Sequence, residues 1–239
     1  QVNADFFPRP DRRSIVLGGE QHDRHWNEAM LQTAATAVAG DFRELIGLLG
    51  ARRLWALMGA AHAIREDQAF GCFWAAFCEV APLHGCAWTV GDEWAPVAST
   101  MLAPSLLSTS ELMALDAVGI GIMHPDLRTS WSALQALGAK PLTLSSVVAG
   151  LEAHAESGSD WEADRRDDLW SATGKMLSVL PRPLAMQSLK ARLKAVPFLA
   201  DDRGQPASAS TLRILFDGID RARIGRWAPG VAIADQRVL

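Results

Sequence analysis

Hydrophobic positions along this chain change their period several times, and each change marks a predicted element. Val2 to Phe7 and Ser14 to Leu17 are β-rich and are separated by Pro8, Pro10 and the polar Asp11-Arg12-Arg13. This reads as extended chain around a turn, ended by Gly18-Gly19. From Asp23, the positions Trp26, Met30, Ala34, Ala37 and Val38 recur at helical spacing. Gly40-Asp41 interrupts that face, and Asp41 with Glu44 has capping-box spacing for a second helix. That helix carries Leu45, Ile46 and Leu49 and ends at Gly50. A third helix carries Leu54, Trp55, Met58 and Ala61. A fourth carries Phe70, Phe73, Trp74 and Phe77 and stops before Pro82. Residues 23–81 are therefore expected to form a helical layer.

The pattern then shortens. Cys86 to Val90 and Trp94 to Val97 flank Gly91-Asp92-Glu93 as a short hairpin. Ser108-Thr109-Ser110-Glu111 is a capping box that opens a helix through about Ala117. Val118 to Met123 reads as a strand, His124-Pro125-Asp126 as a turn, and Ser130 to Leu137 as a short helix closed by Gly138. Pro141 to Leu144 reads as a strand, after which Ser145 or Ser146 caps a helix running to His154. Leu169 to Leu180 and Leu184 to Ala195 are helical on either side of Pro181 and Pro183. A second hairpin follows, Val196 to Ala200 and Gln205 to Ala207. Trp88 to Pro96 echoes Phe198 to Pro206, each continuing into a stretch of small residues. The fold class expected is α+β, predominantly helical, with helical layers and short β-hairpins or small sheets. The polar, charged segment 156–168 is the linker expected between a block at 1–155 and a block at 169–239.

Composition narrows the classes. Apolar residues make up 49% of the chain and charged residues 21%, with a formal charge of −4. Such a chain buries a sizeable core and presents no basic field, so a nucleic-acid partner is not indicated. No apolar stretch approaches the roughly 20 residues that span a bilayer, and the start has no signal-peptide pattern. The three cysteines, Cys72, Cys78 and Cys86, are odd in number and sparse. They read as free thiols in a reducing, cytoplasmic compartment. No initiator Met opens the chain and no boundary signal closes it, so both ends read as cuts from a longer polypeptide.

Some residues carry a family resemblance. Val2-Asn3-Ala4-Asp5-Phe6-Phe7-Pro8, then Asp11-Arg12-Arg13, then Trp26-Asn27-Glu28-Ala29-Met30-Leu31 resemble the segment after the ATPase domain of sacsin-like proteins. There a strand with a Phe-Pro ending is followed by an Arg-Arg pair and a helix opening with Trp-Asn. Those proteins carry a GHKL ATPase domain of the heat-shock-chaperone type. Val196 to Gly204 is similar to a recurring apolar-Pro-x-apolar … Asp-Gly element of the family, whereas Gly91-Asp92-Glu93-Trp94 has its Asp and Gly reversed.

The resemblance implies a non-catalytic middle region of a larger protein, chaperone-like or defence-type and often bacterial, that transmits nucleotide state between domains. Its partners would be the upstream ATPase domain of the same polypeptide and a protein client. ATP and magnesium would bind that upstream domain, because the family's nucleotide motifs are missing here: Asp202-Arg203-Gly204 is followed by Gln205-Pro206, and Gly119-Ile120-Gly121 stands isolated. The resemblance also makes Arg12 and Arg13 candidates to contact a γ-phosphate in trans. The simpler reading is a pair of solvated turn residues.

Other chemistry is sparse. His22, Asp23 and His25 offer a weak metal set, the basis of a metal-dependent phosphohydrolase reading. That chemistry needs further ligands from other helices, and helix-start polar residues explain the group more simply. His84-Gly85-Cys86 lacks a second pair at zinc spacing, and Gly174-Lys175 lacks the rest of a phosphate loop. The acid-rich run Glu162 to Asp168 reads as a solvated face. Trp55, Trp74, Trp88, Trp94, Trp131, Trp161, Trp170 and Trp227 read as core or interface anchors. Besides the ATPase-coupled reading, the sequence is compatible with a protein-interaction or scaffold module without nucleotide coupling.

Overall fold

Backbone donors and acceptors explain most of what the chain does next. The computed structural model describes residues 5–6, 8, 15–17, 21–178, 185–201, 203 and 205–212. They divide into two compact units: unit 1 is Gln1–Leu102 with Met123–Pro141, and unit 2 is Ala103–Ile122 with Leu142–Leu239. The architecture is the expected one, predominantly helical with two-stranded sheets.

In unit 1, α1 (Gln21–Gly40), α2 (Phe42–Leu49), α3 (Ala51–Ala63) and α4 (Gln68–Val80) form the helical layer. The buried stripe of α1 is Asn27, Leu31, Ala35 and Ala39, one residue on from most of the expected face. Ala35 and Ala39 have no exposed surface and let α4 pack along α1. Asn27 is buried because its side-chain amide donates to the Val16 carbonyl at 2.8 Å, which satisfies a group that burial would otherwise penalise. Trp26 stays half-exposed and donates its indole N–H to the Asp5 carbonyl at 2.7 Å. Gln68 of α4 donates to the Leu17 carbonyl. The segment before α1 is thus pinned by side chains, and Pro8 and Ile15 form an antiparallel bridge. The turn at Asp11-Arg12-Arg13, half of the two expected strands (2–4, 7 and 14), Gly18-Gly19, Pro181, Pro183 and Trp227 lie outside the described residues.

The expected capping box at Asp41 does not form. Asp41 has a nearly helical backbone (φ −92°, ψ 14°) and no side-chain cap bond, whereas a capping side chain folds back only from an extended N-cap. Asp67 has that extended backbone and accepts from the amides of Ala69 and Phe70 to open α4. Gly50 joins α2 to α3 at φ 78°, a left-handed conformation that favours glycine.

The core of unit 1 is aromatic. Phe42, Trp55 and Phe77 are fully buried, with Phe42–Trp55 centroids 5.5 Å apart and Trp74–Phe77 5.6 Å apart. The indole of Trp55 donates to the Cys86 carbonyl at 3.0 Å. The first hairpin pairs β1 (Ala87–Trp88) with β2 (Trp94–Ala95) around Asp92 at φ 61°. Then β3 (Met101–Leu102) runs parallel to β4 (Lys140–Pro141).

Residues 118–123 do not form the expected strand. In unit 2, α5 (Thr109–Ala117) ends here, and its C-terminus takes the backbone donors. The Ile120 amide bonds the Leu115 carbonyl and the Ile122 amide bonds the Asp116 carboxylate. With those groups engaged the segment forms isolated bridges rather than a strand, among them Thr89–Met123 in unit 1. A 3-10 turn at Pro125–Ser130 leads into α6 (Trp131–Ala136).

Unit 2 contains α5, α7 (Leu144–Glu156), α8 (Ala163–Ser178) and α9 (Ala185–Ala195), with β5 (Leu199–Ala200) antiparallel to β6 (Pro206–Ala207). The Ser108–Glu111 capping box is formed as read from the sequence. The cap of α7 is Thr143, not Ser145 or Ser146, because Thr143 has the extended backbone and its hydroxyl accepts from the Ser146 amide. Gly150 of α7 passes directly over Ile120: a Cβ there would stand 2.3 Å from Ile120 Cγ1. The unit boundaries fall at 102/103, 122/123 and 141/142 rather than within 156–168. Residues 163–168 open α8, whose Leu169, Ala172 and Met176 are buried.

The echo between the hairpins has a structural counterpart, shifted by two residues from the sequence alignment: Thr89 corresponds to Asp201. The amide of Thr89 bonds the Glu93 carbonyl at 2.9 Å, as the amide of Asp201 bonds the Gln205 carbonyl at 2.9 Å. In return, the side-chain oxygens of Thr89 and Asp201 accept from the amides of Glu93 and Gln205. Beyond each hairpin, Ser99 and Thr211 close a turn by donating both amide and hydroxyl to the carbonyls of Pro96 and Ser208.

Candidate functional site

The helical layer of unit 1 leaves an apolar groove. Leu54, Leu57, Met58 and Ala61 repeat along α3 and face Leu31 and Val38 of α1, Leu45 and Leu49 of α2, and Phe70 and Phe73 of α4. Phe6 and Ile15 of the pinned N-terminal segment complete the lining of a cavity of about 620 Å³. Leu57 is 57% exposed, Phe70 44% and Leu49 38%, all on the lining, and Leu48 and Ile64 are exposed on α2 and just after α3. The cause is visible in the sequence of α2, Leu45-Ile46-Gly47-Leu48-Leu49, which is apolar around more of its circumference than one neighbour covers.

A second cavity in unit 1, about 560 Å³, adjoins the first through Leu49, which lines both. Its walls include Gly50, Arg52 and Arg53 at the start of α3, and Trp88, Asp92 and Trp94 of the hairpin. Trp88 and Trp94 are nearly parallel, and His124 stacks on Trp88 with centroids 3.7 Å apart. The indole of Trp88 donates to Asp92 at 2.7 Å, and Arg52 is ion-paired to Asp126. Burial keeps the His124 imidazole below its ordinary pKa, against the opposing pull of Asp126. The cleft is therefore walled by two tryptophans and two arginines, with Asp92 engaged by the Trp88 indole.

In unit 2 the polar cluster is Glu111, Ser171 and Lys175. Glu111 is buried, yet it accepts from the Ser108 amide at 2.7 Å, the Ser171 hydroxyl and the Lys175 ammonium at 2.9 Å. Burial alone would raise its pKa; the bonds from Lys175, Ser171 and Ser108 outweigh it and hold the carboxyl at about 2. Every oxygen is engaged in joining α5 to α8, and this is a structural tie. In the sequence Glu111 stands out only as a cap, and Gly174-Lys175 only as an incomplete phosphate loop. The missed signal was a Ser and a Lys four apart on one helix face, able to meet one carboxylate.

The residues singled out beforehand are dispersed. Arg12 and Arg13 lie outside the described residues, between the bridged Pro8 and Ile15. His22 and Asp23 approach to 3.5 Å in the first turn of α1, near His25 on the same turn. Among the described residues no group of three His, Cys, Asp or Glu side chains converges. Cys72, Cys78 and Cys86 are free thiols, and burial pushes Cys86 up to about 12, far from reactive. Of the tryptophans, Trp55, Trp74 and Trp161 are buried, while Trp170 is half-exposed and rests on Phe198. No helix among the described residues is long and apolar enough to cross a membrane.

No family model matches the chain, and neither the curated proteins nor the solved structures contain a match to it.

Proposed function

We propose that this chain is a protein-interaction module whose unit 1 groove receives an apolar segment of a partner. The groove between α1, α2, α3 and α4 is the observation that carries the reading. Its volume lies in the range of built ligand sites, and its lining exposes Leu49, Leu57 and Phe70 together rather than as scattered surface apolarity. A catalytic role would instead call for convergent titratable groups, and the buried Glu111–Ser171–Lys175 cluster is consumed in structure. The test is selection from a displayed random peptide library on the full chain, counter-selected on Leu57→Asp. Enriched peptides with an amphipathic helical pattern that lose binding to the variant are expected. Enrichment that ignores the substitution would defeat the proposal.

A second reading keeps the module beside a GHKL ATPase domain in a sacsin-like protein, and one observation favours it. Phe6 and Ile15, which flank Arg12 and Arg13 in sequence, line the groove. A contact between either arginine and a nucleotide would thus bear on the groove wall. In a polypeptide carrying such a domain, Arg12→Ala or Arg13→Ala is expected to lower ATP turnover more than ATP affinity; unchanged turnover in both would remove the coupling.

A further inference from the structure

We infer that the groove's occupant is an amphipathic helix of another protein that places a carboxylate over Arg53, an inference that rests on the groove being an interaction site. Leu54, Leu57, Met58 and Ala61 stand at i, i+3, i+4 and i+7 on α3, the spacing that meets an apolar helical stripe of the same period. Because α3 is 13 residues long, a partner of roughly three to four turns matches it at about 1.5 Å per residue.

The two ends of the groove differ in charge. At the start of α3, Leu49 carries the groove into the cleft with Arg52 and Arg53. Arg52 is bound by Asp126, and Asp92 is engaged by the Trp88 indole. Arg53 is exposed and has no ion pair among the described residues. Gly50 stands at the N-cap of α3 without a side-chain cap bond, so the positive end of the helix is added to the Arg53 guanidinium. At the opposite end, Arg65 stands beside Glu66 at 3.9 Å and donates to the His62 carbonyl. Charge complementarity therefore places the partner's acidic group at the start of α3, where two positive contributions coincide.

The test uses two synthetic amphipathic helices of about 16 residues, long enough to cover α3. They share one leucine stripe and end in Glu-Glu or Lys-Lys. Fluorescence anisotropy is read against the full chain and its Arg53→Glu and Leu57→Asp variants. The acidic peptide is expected to bind about fivefold more tightly than the basic one, Arg53→Glu to reverse that order, and Leu57→Asp to weaken both by about tenfold or more. Equal affinities that Arg53→Glu leaves unchanged would overturn the acidic-end inference and leave the groove reading standing. Failure of both peptides to bind, or binding indifferent to Leu57→Asp, would overturn the groove reading with it.

Discussion

Unit 1 and unit 2 join helices by different means. Unit 1 does so with aromatic bulk: Phe42, Trp55, Trp74 and Phe77 fill the space between α2, α3 and α4. Unit 2 joins α5 to α8 with a buried carboxylate, and α7 to α9 with the Glu152–Arg192 pair. Large rings fill the volume between these helices, and the apolar groove is lined by the same helices together with α1. Hydrogen bonds to one carboxylate fix distance and angle, and the helices they tie stay close. The first device responds to lost volume, the second to lost charge.

The largest effect is expected where volume matters most. Trp55→Ala removes a fully buried ring and a bond to the Cys86 carbonyl, and is expected to cost about 3–5 kcal/mol. Amide hydrogen exchange should accelerate more in α3 and α4 than in α8; equal acceleration would mean that the two units open as one. Next comes Glu111→Gln, which removes the charge facing Lys175, with an expected loss of about 2–3 kcal/mol in denaturant unfolding. Its pH signature has a definite sign. The folded carboxyl titrates at about 2, below its ordinary 4.5, so its contribution is present above the ordinary value and is lost as pH falls through about 2. Protection of α5 and α8 should therefore fail in that window in the native chain, and the variant should lack this component.

A smaller effect is expected at His62, buried against Trp74 with ring centroids 5.0 Å apart. Burial, then Arg65, lowers its pKa below the ordinary 6.5. Its neutral form is favoured in the fold, so stability is full above 6.5 and declines as pH drops below it toward the folded value. His62→Phe is expected to flatten that slope in thermal melts, and an unchanged slope would assign it elsewhere. Leu48→Ser should be the mildest, within about 0.5 kcal/mol of the native chain, since Leu48 is 81% exposed. A larger destabilisation would show that Leu48 is covered in solution.

The local signals were legible where one residue type decides one bond. The Ser108–Glu111 box, the Gly91-Asp92-Glu93 hairpin and the aromatic run of α4 follow directly from sequence. The face of α1 was not, because an alanine-rich helix is nearly as apolar on either side and the choice depended on Val16 offering a carbonyl to Asn27. The strand expected at 118–123 failed for a similar reason: β-rich composition cannot reveal that the end of α5 takes those amides. Trp26 and Asn27, which carry much of the family resemblance, hold the N-terminal segment by its carbonyls. The groove was hidden because its residues are those of an ordinary helical core face, and which of them stay uncovered is decided by neighbours distant in sequence.

The boundaries at 102/103, 122/123 and 141/142 set a timetable for synthesis. As the chain leaves the ribosome, α5 emerges in the middle of unit 1 but has to wait for Lys175, more than a helix away, before its buried acid is matched. Unit 1 in turn acquires β4 only after residues 103–122 have passed. Neither half can be completed as an uninterrupted run, so once residue 160 has cleared the ribosome the chain holds a finished unit 1, while α5 and α7 stand without α8 and the buried acid is unmatched. Such an intermediate is the natural customer for a holding chaperone.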